Sequence, residues 1–130
     1  MNKSRFLKTF NTHFEEFIDD VLRVFPNDKD IITCKHALMK MRKMNPKIIM
    51  TCFNESVNIP YRSEIDKGDI SFFVDKDYNK DVYFDNDIDK IVLEKIDLLR
   101  EPIRSMCDDD KKNVLKYLSN LTKLCDLYNN

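Results

Sequence analysis

Glycine and alanine are almost missing from this chain: Gly68 and Ala37 stand alone against sixteen lysines, seventeen aspartates and twelve asparagines. A loop that wraps a phosphate needs several glycines, because only a backbone without Cβ approaches so closely. The usual mononucleotide-binding loops are therefore excluded. Lys over Arg, and Asn and Asp over Ala and Gly, is the usage of an A+T-rich coding sequence, so lysine abundance by itself carries no message about binding. No uninterrupted apolar run approaches the ~20 residues that span a bilayer. Cys-x-x-Cys pairs are absent too: Cys34, Cys52, Cys107 and Cys125 are widely spaced, which argues against a zinc ribbon or a thioredoxin-like site. Each lies on or beside an apolar helical face, so buried free thiols in a reduced, intracellular, soluble protein are expected. An excess of either charge sign is also lacking, with 22 basic side chains against 23 acidic ones and a net charge of −1. Bulk electrostatics give no reason to expect a general polyanion binder.

What is present is enough to build a core. The 130 residues are 42% hydrophobic and 35% charged, a balance that suits one globular domain spanning the whole chain. The organising stretch runs from Phe6 to Phe25. Phe6, Phe10, Phe14, Phe17, Ile18, Val21, Leu22 and Phe25 recur at steps of three and four, the period of one helical face. Thr9, Asn11, Thr12, Glu15, Glu16, Asp19, Asp20 and Arg23 fall between them and are expected on the solvated face.

Pro26 should end that helix, with Asn27 or Asp28 capping the next, over about Asp30–Met44. Ile31, Cys34, Leu38 and Met41 give this second helix its apolar side, and the short link predicts a hairpin with the first. Pro46 fits the first turn of a third helix capped by Asn45, with Ile48, Ile49, Cys52, Phe53 and Val57 buried and an end before Pro60. Pro60–Gly68 reads as a short helix closed by Gly68 in a left-handed cap, followed by the apolar cluster Ile70, Phe72, Phe73 and Val74. Residues 75–89 read as an acidic, aromatic surface loop. Ile88, Ile91, Val92, Ile96 and Leu99 carry a further helix to Arg100, which Pro102 breaks, leaving Ile103 and Met106 on a short segment. Asp108, Asp109 and Asp110 then start the last helix, one as cap and the others meeting its dipole, with Val114, Tyr117, Leu118, Leu121, Leu124, Cys125 and Tyr128 on its apolar face. No stretch alternates at period two. The expected fold is all-α: a compact domain of five or six helices, the long N-terminal and C-terminal helices packed with a central helical hairpin.

Two charged segments are the candidate sites. Between Asp30 and Glu55 there is no acidic residue, while Lys35, Lys40, Arg42, Lys43 and Lys47 follow one another. Such a run leaves a local positive field for phosphate or an acidic partner, but it is more often simply a solvated helix face; no aromatic residue is interleaved for base stacking. The second segment carries Asp75, Asp77, Asp81, Asp85 and Asp87. Asp75, Asp77, Asn79 and Asp81 match the first half of an EF-hand loop, but Lys80 stands where glycine is needed and Asn86 where a bidentate glutamate should close the shell. No metal is expected there. A solvated acidic loop is the plain reading, and an acidic partner-binding loop, meeting the basic patch of another copy or of a partner, is the functional one. Cys34 and His36 are two apart on a helix and point about 200° from each other, so they cannot share an ion or form a nucleophile pair. His13 borders the phenylalanine stripe and is expected to be structural. No serine has a Gly-x-Ser-x-Gly context. No catalytic residue and no cofactor is expected.

Phe14-Glu15-Glu16-Phe17-Ile18-Asp19-Asp20 leading to Val24-Phe25-Pro26, Lys67-Gly68-Asp69-Ile70-Ser71-Phe72-Phe73, Leu99-Arg100-Glu101-Pro102-Ile103-Arg104 and Tyr117-Leu118-Ser119-Asn120-Leu121-Thr122-Lys123-Leu124 together resemble a small-protein family of large and giant double-stranded DNA viruses of algae and protists. The resemblance covers nearly the whole chain and implies a setting in the host cytoplasm, the viral factory or the virion, but it transfers no catalytic residue. The expected function is a non-enzymatic helical protein–protein interaction module or virion-associated structural module. The alternative is a small nucleic-acid-binding protein that uses the patch at residues 35–47.

Overall fold

The computed structural model describes residues 3–71, 91 and 94–129. Its elements are helical: α1 (Lys3–Val24), α2 (Lys29–Met44), α3 (Ile48–Phe53), a π-helical turn (Asn54–Asn58), α4 (Ile59–Asp66), α5 (Arg100–Arg104) and α6 (Asp108–Asn129). Residues 94–97 are helical as well, and no strand occurs among the described residues. The fold is all-α, as the periodicity requires. The expected acidic loop, with Asp75, Asp77, Asp81, Asp85 and Asp87, lies outside the described residues, as do Phe72, Phe73, Val74, Ile88 and Val92.

The phenylalanine stripe of α1 is the centre of the core. Phe10, Phe14, Phe17, Ile18 and Val21 are fully buried. Phe53 of α3 meets the rings of Phe10 and Phe14 at 5.7 and 6.4 Å, both edge-on, while Phe14 and Phe17 form a third edge-on pair at 5.8 Å. Such pairs add about 0.5–1.5 kcal/mol each beyond the area they bury. On the other flank Tyr117 of α6 lies 5.7 Å from Phe17 and 4.9 Å from His13. α1 and α6 run antiparallel along their length. Arg23 pairs with Asp110 at one end (3.4 Å), and the Lys3 ammonium sits 5.7 Å over the Tyr128 ring at the other.

Asp28 caps α2, its Oδ1 accepting from the N–H groups of Asp30 (2.9 Å) and Ile31 (3.2 Å). Gly68, at φ +79°, closes α4 in a Schellman motif, with Asp69 N–H on the Glu64 carbonyl (2.9 Å) and Gly68 N–H on that of Ile65 (3.1 Å). The buried Cys34 thiol of α2 donates to the Lys95 carbonyl at 2.9 Å and ties the helical residues 94–97 to the core. Ile96, Leu99 and Ile103 complete that side.

Five expectations need correction. The helical path does not end before Pro60. It passes from α3 into α4 through the π turn, in which Ile59 N–H reaches back five residues to Asn54, and the bend is taken at Tyr61 (φ −125°). Proline lacks the N–H and crowds the carbonyl four residues back, and a widened turn accommodates both. Cys107 is exposed: it stands outside the helix at the cap position of α6, where its carbonyl accepts from Lys111 N–H (3.0 Å). The three aspartates therefore all lie inside the first turn and none is the cap. Asn11, expected in solvent, is buried, while Ile91, expected in the core, is exposed.

Candidate interaction groove

α2 does not stand as an uncompensated row of cations. Lys35 and Arg42 are two turns apart on the side of α2 that faces α1, and Glu15 and Asp19 are one turn apart on α1. Lys35 Nζ lies 2.5 Å from Asp19 Oδ1, and Arg42 Nη1 lies 3.2 Å from Glu15 Oε1. The counter-charges missing from the linear sequence come from the neighbouring helix. Lys40, Lys43 and Lys47 are exposed and have no carboxylate partner among the described residues. The five expected patch residues are thus split into two interhelical struts and three solvent-facing ammonium groups.

Beside the strut at Arg42 the surface opens into a groove of about 460 Å³ between the first half of α1 and the end of α2. Leu7 and Pro46 supply apolar lining, and Lys8, Arg42 and Lys43 supply positive charge. Lys8 is exposed and also without a carboxylate partner among the described residues. The turn that carries Pro46 is held by Asn45, which accepts from Lys47 N–H through its side chain (3.1 Å) and from Ile48 N–H through its carbonyl (3.1 Å). Met44, just before it, is 77% exposed.

Asn11 is the singular residue of this groove. It is only 7% exposed, and its Nδ2 donates to the Pro46 carbonyl at 2.9 Å. Its own carbonyl accepts from Arg42 Nη1 at 3.5 Å. The side-chain Oδ1 is buried and has no donor. Turning the amide over would set Oδ1 against the Pro46 carbonyl, acceptor on acceptor, so the orientation is fixed. A buried acceptor left in this state costs about 1–3 kcal/mol. One signal could have found Asn11: Leu7, Asn11, Phe14, Ile18 and Val21 follow at steps of four, three, four and three, which places one amide on an otherwise apolar line.

His13 Nε2 on α1 is likewise buried without a partner among the described residues, whereas the cluster at the end of the π turn is saturated. Asn58, buried at the end of the π turn, donates to Asn54 Oδ1 (2.8 Å) and Asp126 Oδ1 (3.0 Å), and accepts from Arg62 Nη1 (3.2 Å). Arg62 also pairs with Asp126 and, through Nε, with Asp66 at 3.2 Å. Burial pushes the Asp126 carboxyl up, but the Arg62 and Asn58 hydrogen bonds more than offset this and hold it below the ordinary value. A second groove of about 320 Å³ gathers Asp28, Asp30, Asp97 and Glu101 near Phe25. Asp28 is a helix cap there, Asp97 is paired with Arg100 (2.5 Å) and Glu101 with Arg104 (2.6 Å). Among the described residues no three His, Cys, Asp or Glu converge to hold a metal. None of the described helices is long and apolar enough to cross a membrane.

Comparison with protein-family models, with curated proteins and with solved structures finds no match for this chain. Function therefore has to be argued from the groove itself.

Proposed function

We propose that the chain is a non-enzymatic helical module that contacts a protein partner through the groove between α1 and α2, in the large-DNA-virus setting that the sequence resemblance implies. The observation that supports this is a coincidence at one place. An open groove with apolar lining, a charged rim and the 77%-exposed Met44 lie together at the end of α2. Exposed apolar surface rimmed by polar groups is what protein interfaces bury. The second reading, nucleic-acid binding, draws on Lys40, Lys43 and Lys47, which have no carboxylate partner among the described residues, three charges where the sequence suggested five.

Solution mass by light scattering, at low and moderate salt and with or without a short mixed-sequence DNA duplex, separates the two. Apolar association gives a mass that is indifferent to the duplex at both salt concentrations. A duplex-dependent mass that disappears with salt, and that disappears when Lys40, Lys43 and Lys47 are neutralised together, would replace the module with a phosphate binder.

A further inference from the structure

We infer that two copies of this chain pair antiparallel through the face of α2 turned away from α1, with Ala37 at a twofold axis and Met44 of each copy seated in the groove beside Asp30 of the other. This rests on the interaction-module reading and names the partner. Asp30, Thr33, Ala37 and Met44 follow at steps of three, four and seven, so they share one stripe of α2, on the side away from the Lys35 and Arg42 struts. Thr33, Lys40 and Met44 are exposed there. Ala37, the chain's single alanine, stands midway, with Asp30 and Met44 each about two turns from it. Thr33 and Ala37 are small enough for a second helix to lie close. Antiparallel pairing about Ala37 sets each Met44 opposite the other copy's Asp30.

The two ends of the stripe are complementary. Met44 is 77% exposed, with Lys40 one turn back and Lys43 beside it, both exposed and without a carboxylate partner among the described residues. Beside Asp30 lies the groove of about 320 Å³, in which Phe25, Leu98 and Pro102 supply the apolar lining. Asp97 and Glu101 on its rim are held by Arg100 and Arg104, whereas Asp28 and Asp30 have no cation partner among the described residues. An apolar side chain flanked by lysines thus meets an apolar groove flanked by carboxylates, twice in one dimer. The two surfaces stand at opposite ends of a helix about 24 Å long, so a chain cannot join them on itself, and an antiparallel second copy joins both at once. One helix face and one groove per copy fall short of the about 800 Å² per partner of a standard interface, so the dimer dissociates on dilution.

The test is sedimentation equilibrium of the full chain at low salt, over a wide range of concentration that reaches about 0.5 mM. A monomer–dimer equilibrium that stops at twice the chain mass is expected. Met44→Ser should weaken it at least fivefold, and Ala37→Gln, which fills the crossing point, at least tenfold. Lys43→Glu and Asp30→Lys should each weaken it at least fivefold, and the two together should restore it to within about twofold, since each reversed charge then meets its reversed partner on the other copy. Within one chain those two positions are about 20 Å apart along α2 and cannot compensate each other. Circular dichroism checks that the variants fold; Met44→Ser changes a solvent-exposed side chain and decides if Ala37→Gln does not fold. A dimer indifferent to Met44→Ser, or a double reversal no better than the single ones, would overturn the proposal. A chain that stays monomeric over the whole range, with and without a DNA duplex, overturns the dimer and leaves the interaction-module reading to a different partner, whereas a mass that rises only with duplex overturns both.

Discussion

Cys34, Cys107 and Cys125 show how little the residue type says about its environment. The Cys34 thiol is pushed up to about 12 by burial, against a small opposing pull from Lys95, and Cys125 is pushed to about 12 by burial and the nearby Asp126. Thiolate is the reactive form, so both are inert at neutral pH. Cys52 is buried, and Cys107 is exposed. Ellman's reagent at pH 7.5 should titrate one thiol per native chain and four in denaturant, and Cys107→Ser should bring the native count to zero. The sign of the alkaline effect follows from the same values. The folded state holds Cys34 and Cys125 protonated while the unfolded chain releases its protons near 9, so their contribution is complete below pH 9 and is lost as pH climbs towards 12. The apolar context of Cys34, Cys52 and Cys125 was legible as helical period. The exposure of Cys107 was not, because it stands between two helices where no period applies.

Elements were legible where proline or glycine acts alone and obscure where a side chain from elsewhere compensates. Pro26 and Gly68 act as their local chemistry dictates, whereas Pro46, expected in the first turn of α3 behind an Asn45 cap, lies in the turn before it, with Lys47 at the cap position. Pro60 does not stop the helix, because the π turn absorbs it and Asn58 and Arg62 bind that turn to Asp126 on α6, a partner some sixty residues away in sequence. The folded-state pKa of Asp126 lies below its ordinary value, so its charged form stabilises the fold above about pH 4, and that stability is lost as pH falls through the lowered value. Asp126→Asn should lower stability at pH 6 by about 0.5–1 kcal/mol, a modest figure because both partners are more than a third exposed and solvent screens the pair. At pH 3 the gap between variant and parent should narrow. Urea unfolding at the two pH values measures both, and a gap that stays constant would show that the carboxylate's charge is irrelevant to the junction.

For the molecule as a whole, the linear charge pattern misled because charges cancel in space rather than along the chain. Glu15 and Asp19 were legible as a polar helix face, yet nothing in their spacing shows that Arg42 and Lys35 lie opposite. If the struts mask half of the patch, removing the acidic partners should expose it. Glu15→Gln with Asp19→Asn should raise affinity for a DNA duplex at low salt about tenfold, with a steeper salt dependence, while costing under about 2 kcal/mol in stability for two half-buried pairs. Filter binding at several salt concentrations would show it, and an unchanged salt slope would mean that the lysines are held away from ligand for another reason. The pairing of α1 with α6 has a consequence in time. A ribosome makes the phenylalanine stripe first and its cover last, and roughly eighty residues separate the two helices. At about 5–20 residues per second, that leaves one flank of the stripe open for some 4–16 s in every nascent chain. α2 and α3 arrive earlier and shield the Phe53 side, but among the described residues the ring that covers the Phe17 flank, Tyr117, emerges only with α6. Any holding chaperone in the cell has that interval in which to act.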